Sequence, residues 1–122
     1  MAKLSYELRI DVNENYYEKV SGVVGVRPVN YDSGWFYEIL FDENGEYYNV
    51  INRLLDLLEG KYEELTELNI SCDDISIWMT YAYNGQCNME FEPDTLKRLG
   101  ENGIALCISC YEAGEDERGY KT

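Results

Sequence analysis

The chain has 122 residues, the usual size of one domain, and 45% of them are hydrophobic, so it should fold around its own core rather than stay disordered. Its 24 acidic residues outnumber 10 basic ones, and the resulting formal charge of −14 repels nucleic-acid phosphates and anionic lipid. The composition therefore argues against nucleic-acid and membrane partners and favours a basic protein partner, unless the acidity serves only solubility.

The first half of the sequence predicts two strands and three helical segments. Alternation of apolar and polar residues predicts the first strand over 4–10, followed by a short helix over 14–20. Aromatic and β-branched residues predict a second strand over 35–41. Apolar residues spaced three and four apart then predict the longest helix over 47–58 and a shorter one over 62–68.

The second half predicts three strands and one helix. Residues 75–83 have the composition of a strand, and Asn84-Gly85 is the favoured pair for a tight hairpin turn into another strand over 86–91. A short helix is predicted to start at Pro93, because proline is tolerated in the first helical turn. The last strand is predicted over 104–111.

With the adjacent helical segments 47–58 and 62–68 counted as one helical unit, the element order is β-α-β-α-β-β-α-β, without a repeat or linker that would divide it. This order predicts an α+β fold with a five-stranded mixed or mostly antiparallel sheet and helices packed on one face. Residues 1–111 are predicted to form one domain and residues 112–122 an acidic, disordered tail. The amino-terminal residues lack the apolar stretch of a signal peptide, which predicts a cytoplasmic protein with reduced thiols.

The sequence contains no histidine, and this restricts the chemistry that the chain can perform. Without histidine there are no Ser-His or Cys-His nucleophile pairs and no histidine-ligated metal sites. Paired carboxylates can act as acid and base, but such enzymes need a substrate cleft that a small domain seldom provides. The sequence therefore predicts a protein that is not an enzyme and binds no cofactor.

The four cysteines do not form a recognisable redox or metal motif. Cys107 and Cys110 have the spacing of a CxxC pair, but they lie inside a predicted strand, where three-residue spacing places them on opposite faces. Cys72 and Cys87 have no neighbouring ligand at zinc-finger spacing. We therefore expect all four to be buried as small hydrophobic residues and expect no metal site.

An acidic cluster is the strongest candidate for a binding surface. The alternative is an ordinary solvated helix face. As a binding surface, the carboxylates would attract a Lys/Arg-rich partner, and an exposed tyrosine would supply an anchor beside them. The candidate partner-binding residues are Glu59, Glu63, Glu64, Glu67, Asp73, Asp74 and Tyr48.

Two stretches of the chain resemble a known family. One contains the early Gly25-Val26-Arg27-Pro28 and Gly34-Trp35 motifs, and the other is a proline followed by a Leu-x-x-Leu-Gly helix and a final strand, carried by Pro93, Leu96, Leu99, Gly100 and Ile104. These motifs resemble the bacterial domain-of-unknown-function family number 4279. The matching motifs belong to turns, helix caps and strand packing, so the resemblance implies a fold and assigns no catalytic residues.

Small acidic α+β proteins of this kind are similar to the immunity proteins of bacterial polymorphic-toxin systems. The first functional hypothesis is therefore a protein-binding module, most concretely an immunity protein that blocks a basic toxin domain. The second is a small-molecule-binding domain with a pocket between sheet and helices. A third is a domain that self-associates through a strand edge, so the expected state is a monomer or weak dimer.

Overall fold

A computed structural model describes residues 3–29, 34–40 and 50–112. Its helices and strands follow in the order β1 (Lys3–Ile10), α1 (Tyr17–Val24), β2 (Trp35–Leu40), α2 (Val50–Leu58), α3 (Tyr62–Glu67), β3 (Ile75–Tyr83), α4 (Pro93–Asn102) and β4 (Ala105–Glu112). Short 3-10 helices cover Glu14–Tyr16 and Cys72–Asp74. Phe41, the predicted helical residues 47–49 and the predicted tail beyond Glu112 lie outside the described residues.

The strands form a mixed sheet in the order β2-β1-β3-β4. The central strand β1 runs antiparallel to both neighbours, with Leu8 opposite Tyr37 on one side and Ile77 on the other. Strand β4 runs parallel to β3. A parallel neighbour requires a crossover connection, and the chain between Tyr83 and Ala105, which contains α4, supplies it. The mixed α+β architecture agrees with the sequence analysis.

The predicted number of strands is wrong, because this sheet has four strands and not five. Asn84 and Gly85 do bend the chain, and Gly85 has a left-handed φ of 80°, but no hairpin follows. Residues 86–91 pair with no described strand and belong to the crossover toward α4. Met89 and Phe91 pack against the core from this segment, which explains its strand-like alternation without sheet pairing.

The hydrophobic core lies between one face of the sheet and the helices. Tyr6, Leu8 and Ile10 of β1 are almost completely buried. On the opposite face of the described strands only Ala82 is buried, and it lies outside the core cluster. Helix α2 contributes the largest set of buried helical residues, because its apolar residues recur on one side: Val50, Ile51, Leu54, Leu55 and Leu58. Helices on one face of the sheet were predicted, and the described helices have this arrangement.

The end of helix α1 differs from the sequence prediction. Helix α1 continues through Gly22 to Val24 and ends where Gly25 adopts a φ of 88°, a conformation that favours glycine. Helix α4 ends at Asn102, where Gly103 caps it with a φ of 69°. Leu96 of α4 is 48% exposed. Thr95 is the buried residue at this point of the helix, and its hydroxyl accepts a hydrogen bond from the Asn52 side chain on α2.

Trp35 connects β2 to α1 through a buried hydrogen bond. Its side chain is completely buried, and its indole Nε1 donates to the Ser21 hydroxyl at 2.9 Å. Ser21 is itself buried on α1. The bond satisfies the one polar group of a side chain that otherwise contributes only apolar surface to the core.

Ser21→Ala is therefore expected to lower the free energy of unfolding by about 1–3 kcal/mol, because the buried indole N–H loses its acceptor. Urea unfolding followed by circular dichroism measures this change. Ser76→Ala is a matched control, since Ser76 accepts from Trp78 Nε1 at 3.1 Å on the partly exposed outer face of the sheet. Water can replace that acceptor, so equal losses in the two variants would contradict the role assigned to burial.

Candidate partner-binding surface

Helix α3 brings three of the predicted acids onto one exposed element. Leu65 is fully buried and fixes the helix against the core, while Glu63 and Glu67 lie on its opposite side and Glu64 on its flank. All three carboxylates are exposed, and none forms an ion pair with another described residue. These charges are available to a partner.

The arrangement of charge on α3 is not the one that would best stabilise the helix. Glu63 and Glu64 are in the first turn, where acids interact favourably with the helix dipole, but Glu67 is at the opposite end. Glu63 and Glu67 are also four residues apart, and like charges at this spacing destabilise a helix by about 0.2–0.5 kcal/mol. A bound cation would relieve this repulsion.

Asp73 and Asp74 follow in the next 3-10 helix and have different roles. The Asp74 carboxylate accepts a hydrogen bond from the Ser71 backbone N–H at 3.0 Å and forms a capping box with that residue. Asp74 therefore holds the turn before β3. Asp73 is exposed and forms no ion pair within the described ranges. We define the acidic surface as Glu63, Glu64, Glu67 and Asp73.

Glu59 belongs to a contact between α2 and α4 rather than to the acidic surface. Its carboxylate lies 3.9 Å from Nη2 of Arg98, whose closer partner is Asp56 at 2.6 Å. Arg98 Nη1 also donates to the backbone carbonyl of Asn52 at 3.3 Å. Arg98 thus neutralises part of the charge that the sequence analysis assigned to the cluster.

Tyr62 is the aromatic residue that the structure places beside these acids, at the start of α3. Its hydroxyl donates a hydrogen bond to Asn102 Oδ1 at 2.6 Å, and Asn102 in turn donates to the Arg98 backbone carbonyl at 2.8 Å. Burial, and next the nearby charge of Cys72, raises the pKa of the Tyr62 hydroxyl. The hydroxyl stays protonated at neutral pH and ties α3 to α4. Tyr48, the predicted anchor, lies outside the described residues.

The outer face of the sheet carries a cluster that the sequence analysis missed. The guanidinium carbon of Arg9 lies 4.2 Å from the centre of the Trp78 ring and 5.1 Å from that of Phe36, and its Nη2 is 2.7 Å from Glu7. The Arg9 guanidinium therefore packs on two aromatic rings, and the Glu7 carboxylate neutralises its charge. Alternation placed Glu7 and Arg9 on a polar face, but their neighbours depend on the strand order, which the sequence did not reveal.

The expectation that all four cysteines are buried is wrong. Cys110 is exposed, and the other three are only partly covered. Cys107 and Cys110 do lie on opposite faces of β4, since their cross-strand neighbours are Trp78 and Tyr81. The sulfur of Cys110 instead meets that of Cys87 at 2.8 Å. Within the described ranges, no group of three or more metal-ligating side chains comes together.

A shallow depression of about 390 Å³ lies beside α1 and bears on the small-molecule hypothesis. Its lining includes Glu18 and Arg27, whose charged groups are 3.9 Å apart and largely exposed. The depression is open to solvent and does not lie between sheet and helices, where the sequence analysis expected a binding pocket. A ligand here would be poorly enclosed compared with those of ordinary ligand sites.

Comparisons with known proteins identify one family. The model of the family described as Domain of unknown function (DUF4279) matches residues 14–113, which covers most of the chain. No curated protein and no solved structure matches the chain. In the part of the chain that the structure describes, every helix is too short or too polar to cross a membrane.

Proposed function

Because this chain belongs to the DUF4279 family, whose description assigns no activity, we propose a function from its own surface: it is a protein-binding module for a basic partner. The partner docks on the acidic surface, and the module performs no catalysis. The observation that carries the proposal is the set of exposed carboxylates on α3 that form no ion pair with any cation in the described part of the chain.

The net charge of the protein and the anchoring of α3 both support binding at this helix. A protein with a formal charge of −14 attracts cations at long range, and unpaired exposed carboxylates are the groups that a docking cation can reach without breaking an existing bond. Helix α3 is also well anchored, because Leu65 is fully buried and Tyr62 is bonded to α4. A rigid element presents its charges with little ordering cost on binding.

The most concrete form of this proposal is an immunity protein that neutralises a bacterial toxin. A small, strongly acidic chain without histidine is suited to covering the basic active site of an enzyme that acts on a polyanion. Glu63, Glu64 and Glu67 would then take the place of substrate phosphates. Such an inhibitor acts in the cytoplasm, beside the target that the toxin would attack.

Self-association is the alternative that a specific observation favours. Strand β4 is at an edge of the sheet, and its Ile108 and Tyr111 are 43% and 44% exposed. An open edge strand can pair with the same strand of a second copy. Sedimentation of the purified protein over a range of concentrations distinguishes the two proposals, since this alternative requires a dimer and the binding module does not.

A pull-down with matched variants tests the proposed function. The test variant carries Glu63→Gln, Glu64→Gln and Glu67→Gln, and the control removes three other exposed charges through Glu14→Gln, Glu90→Gln and Glu101→Gln. We expect the wild type and the control to capture a basic protein from a lysate of the source cells at stoichiometric amounts. The test variant should lose it, and mass spectrometry identifies the captured protein.

Two outcomes would count against the proposal. Equal capture by both variants would show that the partner binds away from α3, because the two variants have the same net charge. Failure of the wild type to capture any protein would remove the support for a binding module. High salt should also release the partner, since exposed charges are screened within about 3 Å at 1 M ionic strength.

A further inference from the structure

Two cysteine thiols from distant parts of the chain meet at the edge of the sheet. The sulfurs of Cys87 and Cys110 are 2.8 Å apart, within hydrogen-bond distance of each other. Cys110 is exposed and Cys87 is half-buried, so small molecules in solution can reach the pair. The contact is separate from the acidic surface, which lies on α3 and the turn after it.

The backbone holds both sulfurs in place. Cys110 is near the end of β4 and is paired in register with Tyr81 of β3, so its position is fixed by the sheet. Cys87 comes two residues after Gly85, whose left-handed conformation turns the chain at the end of β3. Beyond Cys87, Met89 and Phe91 pack against the core. Ordered backbone on each side of a thiol pair favours one pairing over others.

The remaining two cysteines do not compete for this contact. Cys107 lies on the opposite face of β4, in register with Trp78. Cys72 lies beside Gly103, at the end of α4, where its sulfur would be 3.7 Å from a Cβ placed on that glycine. The hydrogen bond to Cys110, followed by burial, raises the pKa of the Cys87 thiol. Either sulfur can act as the hydrogen-bond donor, and Cys110 is the more exposed of the two residues.

We propose that Cys87 and Cys110 form a reversible dithiol–disulfide pair that reacts with low-molecular-weight disulfides such as oxidised glutathione. The Cys110 thiolate attacks one sulfur of the glutathione disulfide, forms a mixed disulfide and releases one glutathione thiolate. The Cys87 thiolate then attacks the Cys110 sulfur and releases the second glutathione. The two protein thiol protons pass to the two released thiolates, and two electrons move from the protein to the glutathione disulfide.

Closure of this bond would fasten the crossover segment to the edge strand. The two cysteines are 23 positions apart, so the link closes a loop that contains the whole of α4. Restricting a loop of this length in the unfolded chain should raise Tm by on the order of 10 °C. The oxidised protein is therefore expected to be more stable to heat than the reduced protein.

Two complementary double variants test the proposal. Cys72→Ser/Cys107→Ser keeps only the proposed pair, and Cys87→Ser/Cys110→Ser keeps only the other two cysteines. After treatment with oxidised glutathione, the first variant should have no titratable thiol, a mass lower by two hydrogens and a higher Tm. A dithiol reductant should restore both thiols. The second variant should keep both thiols or take up glutathione without forming an internal bond.

The wild type provides a measurement that does not depend on how the variants fold. Trypsin cuts after Lys97 and Arg98, which separates the two cysteines, so a closed pair links two peptides and fragmentation locates the bond. A bond between Cys87 and Cys110 is expected. The proposal is overturned if oxidised wild type links other cysteines, if it carries only glutathione adducts, or if the first double variant keeps two free thiols.

Discussion

Leu8→Ala is expected to lower the free energy of unfolding by about 2–5 kcal/mol, a large part of the stability of a domain of this size. Leu8 is completely buried at the middle of β1, the strand that pairs with two neighbours. Its cross-strand partners are Tyr37 and Ile77, so truncation leaves a cavity between three strands and the helices. Circular dichroism during urea unfolding measures the loss.

Ser5→Ala on the same strand is the matched control for Leu8→Ala. Ser5 lies on the outer face of the sheet and is not part of the core. Its replacement should change the free energy of unfolding by no more than about 0.5 kcal/mol. A loss below about 1 kcal/mol for Leu8→Ala, or similar losses for the two variants, would contradict a core on one face of the sheet.

Local periodicity was enough to predict most of the elements. The alternation in β1 and the apolar run of β3 identified these strands, because each has one face in the core and one outside it. Helix α3 was predicted from the spacing of its apolar residues, and Leu65 is buried between exposed acids. The family resemblance was also confirmed, and it rested on capping and turn motifs such as Pro93 at the start of α4.

The predicted hairpin after β3 failed for a physical reason. Asn84-Gly85 is a strong turn signal, and residues 86–91 alternate as a half-buried strand does. Alternation reports that one side of a segment is buried, but it does not report whether another strand supplies hydrogen bonds. Here the segment packs Met89 and Phe91 on the core and leads into α4, and β4 takes the place beside β3 that the hairpin strand would have occupied.

The candidate site was predicted in part. The apolar spacing of α3 identified Glu63, Glu64 and Glu67 as exposed helical residues, because this spacing determines which side of the helix faces solvent. It did not separate them from Asp74, which caps a turn, or from Glu59, which lies near Arg98 of a helix distant in sequence. Such pairings depend on tertiary contacts, as does the meeting of Cys87 and Cys110.

Charge reversal on α3 is expected to slow association with the basic partner on the order of 10- to 100-fold at low salt. Glu63→Lys/Glu67→Lys replaces attraction by repulsion at the proposed docking site. The variant keeps one like-charge pair at four-residue spacing, so the stability of α3 should change little. Stopped-flow fluorescence with the captured partner measures the association rate constant, and circular dichroism confirms that the variant is folded.

A second reversal variant separates a local site from the general field of the protein. Glu14→Lys/Glu90→Lys makes the same change in net charge at exposed positions on other parts of the chain. If the partner docks on α3, this control should slow association much less. The difference in association rate between the two variants should disappear as salt rises, because screening removes the electrostatic interaction. Equal slowing of the two variants would mean that only net charge matters, and unchanged association in Glu63→Lys/Glu67→Lys would place the partner elsewhere on the molecule.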